Sequence, residues 1–199
     1  GIICYTLATL FLGYEMALQV SPAVMAEELM QDIGLNARNL SFISIAYFGA
    51  YAAMQIPAGI LFDKFSAKTV MTMSAAVCTL GIYLFVLSNS ALVLSLARFI
   101  TGFGSAFAFV GVLLIAHEWF PKKHFPILVG IAQLIAALGA MFGEEPLAYV
   151  VNNYGWQQAV YNLAIIGVII TLFIVVFVKN NNAHNLQKET LSFSDICTK

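Results

Sequence analysis

Charge is what this chain has least of. Only 10% of its 199 residues are Asp, Glu, Lys or Arg, against about a quarter in a soluble domain. Hydrophobic residues make up 61%, and the mean hydropathy is +0.88. Too little polar surface is available to cover a globule in water, so a water-soluble domain is excluded. The nine Lys and Arg residues are scattered, which leaves no basic stripe for nucleic acid. Cysteine is equally sparse: Cys4, Cys78 and Cys197 show no CxxC spacing, so neither a zinc site nor a disulfide framework is indicated. There is no phosphate-binding glycine loop, no cluster of metal ligands and no Ser/His/Asp set at a shared depth. No catalytic residue, metal or cofactor is therefore expected. The opening run lacks a basic flank and contains Glu15, so it does not read as a secretory signal. It reads as a membrane span whose cytoplasmic start is missing.

Long apolar runs are what the chain has instead. A helix crosses the hydrocarbon core in about 20 residues, and six segments qualify: 2–24, 39–61, 69–88, 92–116, 126–148 and 157–178. Strands of a membrane barrel would be about ten residues long and alternate in polarity; these runs do neither. The fold expected is an all-α bundle over 1–178, followed by a polar tail over 179–199. The first connector, AEELMQDIGLNAR, is acidic and reads partly as an amphipathic helix. Lys64, Lys68, Lys122, Lys123, Lys179, Lys188 and Lys199 fall at one set of span ends, and Arg38 alone at the other. Such a bias sets orientation and puts both termini in the cytoplasm.

Several residues stand out inside the runs. Arg98 lies in span four, followed by Gly102 and Gly104, glycines whose spacing lets another helix approach closely. An arginine in hydrocarbon costs at least about 2.5–3.5 kcal/mol and normally faces a bundle interior or a water-filled cavity, unless it snorkels to the headgroups. Glu15 lies about 20 Å up span one, and Arg98 about 9 Å down from the opposite face, by helix rise. In a core ~30 Å thick the two share a depth. Tyr47, Gln55 and Gln133 are polar positions within spans, which either line a cavity or bridge two helices. Gly139 and Gly143 form a GxxxG pair, the usual sign of close helix packing. Glu144 sits near the outer interface and reads as a rim charge, and His117 as an interfacial residue.

The connector GILFDKFSAK, residues 59–68, places Gly59, Asp63, Lys64 and Lys68 between spans two and three. By itself it reads either as a solvated turn or as a grip on a neighbouring helix start. It resembles motif A of the major facilitator superfamily, G-x-L-x-D-R-x-G-R-[KR], departing from it at Lys64, Ser66 and Ala67. RFITGFGSA resembles motif B of the same family, R-x-x-x-G-x-G, and YGWQQAV resembles the family's GWR-x-x-F start of span six. QVSPAVMAEELM resembles proteobacterial members, including the intraphagosomal amino-acid transporter group. The resemblance covers essentially the whole chain and has consequences. It implies one half of a twelve-helix fold, built as two inverted three-helix repeats, with the tail as the start of the central cytoplasmic loop. It implies that Asp63 latches a gate against the second half. It brings spans one and four together along a central cavity, so that Glu15 and Arg98 pair with each other or with a solute. With Tyr47 and Gln133 they form the candidate site for solute and coupling proton.

The activity expected is secondary transport of a small polar solute by alternating access in a bacterial inner membrane. The expected partners are that solute, a coupling proton, membrane lipid and a second six-helix half. A scaffold or sensor with a transporter-like fold, or a half-size unit working as a homodimer, are the alternatives. If the second half is needed, Glu15 and Arg98 should face a groove left uncovered by this chain.

Overall fold

A computed structural model describes residues 1–179. Apart from Lys179, the tail assigned above to the central loop, with Lys188, Cys197 and Lys199, lies outside the described residues. The elements are α1 (Ile2–Val24), α2 (Ala26–Ile33), α3 (Ala37–Lys64), α4 (Ala67–Val86), α5 (Ala91–Trp119), a 3-10 turn at Lys122–His124, α6 (Phe125–Phe142), α7 (Glu145–Tyr154) and α8 (Trp156–Phe177). Among the described residues six stretches are long and apolar enough to cross a membrane, with α6 and α7 together forming the fifth.

Local chemistry sets the boundaries. The Asn36 side chain accepts from the Asn39 N–H at 2.9 Å and caps α3. Ser66 accepts from the Thr69 N–H at 3.3 Å and caps α4, the usual role of Ser at a helix start. The serine that departs from motif A thus has a local use. Gly34 ends α2 at φ 72°, a left-handed conformation open to glycine. The amphipathic α2 expected in the first connector is present, and the indole N–H of Trp156 ties it to the start of α8 by donating to Asp32 at 3.1 Å. The expected uninterrupted helix over 126–148 is corrected: the chain breaks at Gly143–Glu144 between α6 and α7. Pro146 has no N–H to return to Phe142, and its ring crowds that carbonyl.

Helix α5 is a shared support, with α3 and α4 both packed along it. Helix α1 in turn packs on α6, α5 and α8, and α4 packs on α8. Exchanging spans one, two and three for four, five and six maps this pattern onto itself. The α3–α5 crossing becomes α6–α1, the α4–α5 crossing becomes α8–α1, and α4–α8 and α1–α5 are their own images. Successive spans alternate direction, so spans three apart run oppositely and the two halves are inverted. Glycines sit at the two image crossings. A Cβ on Gly102 would strike the Tyr47 backbone on α3, and one on Gly139 would strike the Gly13 backbone on α1. Gly104 abuts Ser74 and Cys78 of α4 in the same way, and Gly143 abuts Ala17.

Candidate functional site

The candidate site forms where α1, α3 and α5 meet. Gly102 lies one turn beyond Arg98 and lets the α3 backbone approach at Tyr47. From there the Tyr47 ring reaches across the face of Arg98, its centroid 4.1 Å from the guanidinium carbon, and its hydroxyl donates to Glu15 Oε1 at 2.5 Å. The three side chains are sealed: Glu15 and Tyr47 are 0% exposed and Arg98 is 1% exposed. Tyr51 stacks on Tyr47 with centroids 6.2 Å apart.

Arg98 spends its donors on backbone. Its Nη1 donates to the Leu18 carbonyl at 2.8 Å and its Nη2 to the Gln19 carbonyl at 3.4 Å. The reason lies four residues on, where Pro22 sits inside α1. Proline has no N–H for the carbonyl of residue i−4, so Leu18 O is left open in the middle of an apolar bundle. Arg98 closes it, with the Ser21 hydroxyl donating to the same oxygen at 3.0 Å. Within this cluster two buried side-chain atoms lack a hydrogen-bond partner, Glu15 Oε2 and Arg98 Nε. Buried polar atoms are ordinarily satisfied, so these two are the cluster's unmet acceptor and donor.

Two expectations change here. The charge pair is indirect, because Tyr47 stands on both residues and the guanidinium bonds to α1 backbone. Nor do Glu15 and Arg98 face an uncovered groove. Tyr47 and the α1–α5 contact close them in, since isolated charges in hydrocarbon must be covered by polar or aromatic groups. What opens toward Arg98 is a cleft of about 680 Å³, lined also by Gln19, Pro22, Ser44, Phe48 and Glu144. The break between α6 and α7 therefore puts Glu144 on the rim of the arginine's cleft. Sequence reasoning missed the backbone role of Arg98, although a proline four residues after a carbonyl at the arginine's depth is a readable signal.

The other candidate residues lie apart from this cluster. Gln133 is exposed on α6. Asp63 and Lys64 are exposed at the end of α3, Lys68 is half-buried at the start of α4, and Gly59 has open space around its Cα.

Six spans in two inverted triplets around buried charges define a polytopic membrane protein. Residues 4–194 match the Major Facilitator Superfamily, and the chain belongs to that family; it is not an enzyme. Among similar proteins is the Probable sulfoacetate transporter SauU of Cupriavidus necator, 28% identical over 82% of this chain and 38% of that protein. The Probable galactarate/D-glucarate transporter GarP of Escherichia coli K12 is 26% identical over 86% of this chain and 40% of its own length. The Hexuronate transporter of the same organism is 30% identical over 77% of this chain and 35% of its own length. The chain spans about two fifths of the length of these relatives.

Proposed function

We propose that this chain forms the N-terminal half of a secondary transporter that carries a small organic acid across a bacterial inner membrane by alternating access. The observation that carries the reading is the sealed Glu15–Tyr47–Arg98 cluster, with one carboxylate oxygen and one guanidinium nitrogen unpartnered. Arg98 supplies positive charge at the base of a cleft, the chemistry an anionic solute needs. Glu15 supplies a protonatable group that reaches Arg98 through Tyr47. A proton taken by Glu15 removes the negative charge beside Tyr47 and leaves Arg98 uncompensated, which favours an incoming anion. Coupling of proton and solute as a symport follows from that electrostatic exchange. The relatives named for sulfoacetate, galactarate, D-glucarate and hexuronate transport support an acid as the solute class.

Gln133 and the half-buried Gln55 sit about 12–14 Å from the cytoplasmic ends of α6 and α3 by helix rise. An exposed amide at that depth is unfavourable against lipid, which supports a polar cavity between this half and a second one. Asp63, Lys64 and Lys68 then belong to the gate that the second half closes. Both termini of the described chain face the cytoplasm on the lysine bias.

The experiment is uptake of labelled galacturonate, glucarate and sulfoacetate by the full-length protein in proteoliposomes, with and without an inward proton gradient. Gradient-stimulated uptake of at least one acid, lost in a folded Glu15→Gln variant, is the expected result. Failure to carry any of the acids, or full uptake by Glu15→Gln, overturns the reading.

A further inference from the structure

The cleft at Arg98 carries charge of both signs. Its inner end is a buried cation: Arg98 is 1% exposed, lines the cleft and keeps its Nε without a hydrogen-bond partner. Its rim carries two exposed acids, Glu144 and Glu145, and its neutral polar groups are Gln19 and Ser44. The break in span five brings the two signs together. Gly143 packs on Ala17, the residue before Leu18, whose carbonyl receives Arg98 Nη1. Helix α1 thus holds the arginine and the start of α7 within one turn of each other.

The two acids differ in what else they do. Glu145 lies in the first turn of α7, where a carboxylate interacts favourably with the helix N-terminus. Glu144 stands at the N-cap position, yet its side chain makes no capping hydrogen bond. Its charge has no such local use and falls on whatever occupies the cleft.

Charge at the two ends decides which acid fits. A solute carboxylate on Arg98 neutralises the cation and leaves the rest of the solute toward the rim. A hydroxyl there can donate to Glu144. A second carboxylate cannot, because an ionised carboxylate only accepts, and its charge is repelled. Carboxyl groups titrate near pH 4, so at neutral pH a uronic acid carries one charge and an aldaric acid two.

We propose that Glu144 restricts the Arg98 cleft to singly charged hydroxy acids and rejects solutes with a second anionic group. This rests on the reading of the protein as an organic-acid transporter, and narrows it to solutes of the uronate kind. Even at the dielectric of bulk water, two like charges about 4 Å apart oppose each other by roughly fivefold in an equilibrium constant.

The test supplies proteoliposomes of the full-length protein with galacturonate, sulfoacetate, glucarate and the monoamide of glucarate, and compares kcat/KM. The monoamide matches glucarate in shape and carries one charge. Galacturonate and the monoamide should each exceed glucarate by at least about fivefold. Glu144→Gln should raise glucarate relative to its monoamide by about the same factor, chiefly through KM. Glu144→Asp keeps the charge and should keep the preference. The comparison of glucarate with its monoamide uses the parent protein alone, so it stands if Glu144→Gln does not fold. A parent that carries glucarate as well as its monoamide, or sulfoacetate in preference to galacturonate, overturns the proposal and leaves acid transport intact. So does a preference unaltered in folded Glu144→Gln. Uptake of none of the four overturns both the proposal and the reading beneath it.

Discussion

Replacing Tyr47 by phenylalanine keeps an aromatic ring over Arg98 and removes only the hydroxyl that donates to Glu15 Oε1 at 2.5 Å. Glu15 Oε2 already has no protein partner, so the variant leaves a fully buried carboxylate with neither oxygen bonded. A hydrogen bond to a charged group contributes about 1.5–3 kcal/mol, and Tyr47→Phe should lower unfolding free energy by that amount. Tyr47→Leu removes the ring as well, and a desolvated cation–π contact adds about 2 kcal/mol. In a Glu15→Gln background the same hydroxyl faces a neutral acceptor, for which about 0.5–1.5 kcal/mol is the ordinary figure. Comparing like ends of the two ranges, Tyr47→Phe should cost about 1–1.5 kcal/mol less there than in the parent. The assay is reversible unfolding of the full-length protein in mixed micelles for the parent, the single variants and the double variant. Equal losses in the two backgrounds would refute the bridge. So would a Tyr47→Phe loss within about 0.5 kcal/mol, the range of an ordinary surface change.

Pro22→Ala restores a donor for Leu18 O, so Arg98→Leu should destabilise a Pro22→Ala protein less than the parent, as read by the same unfolding cycle. Gly139→Ala forces a methyl onto the Gly13 backbone and should cost about 1–3 kcal/mol. Gly59→Ala meets open space within a helix and should be neutral or gain about 0.5–1 kcal/mol. Single cysteines at Asn36 and Lys123 should react with an impermeant maleimide from opposite sides of the membrane, and labelling from one side would end the assigned orientation.

The six spans were legible because hydrocarbon permits only long apolar helices, and composition alone reports those. The depth shared by Glu15 and Arg98 was legible because helix rise is constant. What joins them was not. The Tyr47 bridge depends on how closely α3 approaches α5, and that approach is set by Gly102, whose spacing with Gly104 marks it for close helix packing without saying which helix comes near. The backbone role of Arg98 depends on a carbonyl, which no side-chain pattern displays, although Pro22 leaves a trace of it. The break in span five was hidden by continuous apolar character on both sides of Gly143–Glu144. Hydropathy averages over a proline whose effect is local.

The interleaving of the two triplets bears on how the protein is made. Helix α1 finds its main packing partner in α6, and Leu18 waits for Arg98, 80 residues further along the chain. At about 5–20 residues per second that interval lasts roughly 4–16 s. During it the first span sits in the insertion machinery without the arginine that completes the hydrogen bonding of Leu18 O. Neither triplet can complete itself, so the two must be held side by side before either is stable. A ribosome stalled between α4 and α5 should leave a nascent chain that remains bound to the translocon or is handed to membrane proteases, whereas a stall after α8 should release a protected bundle.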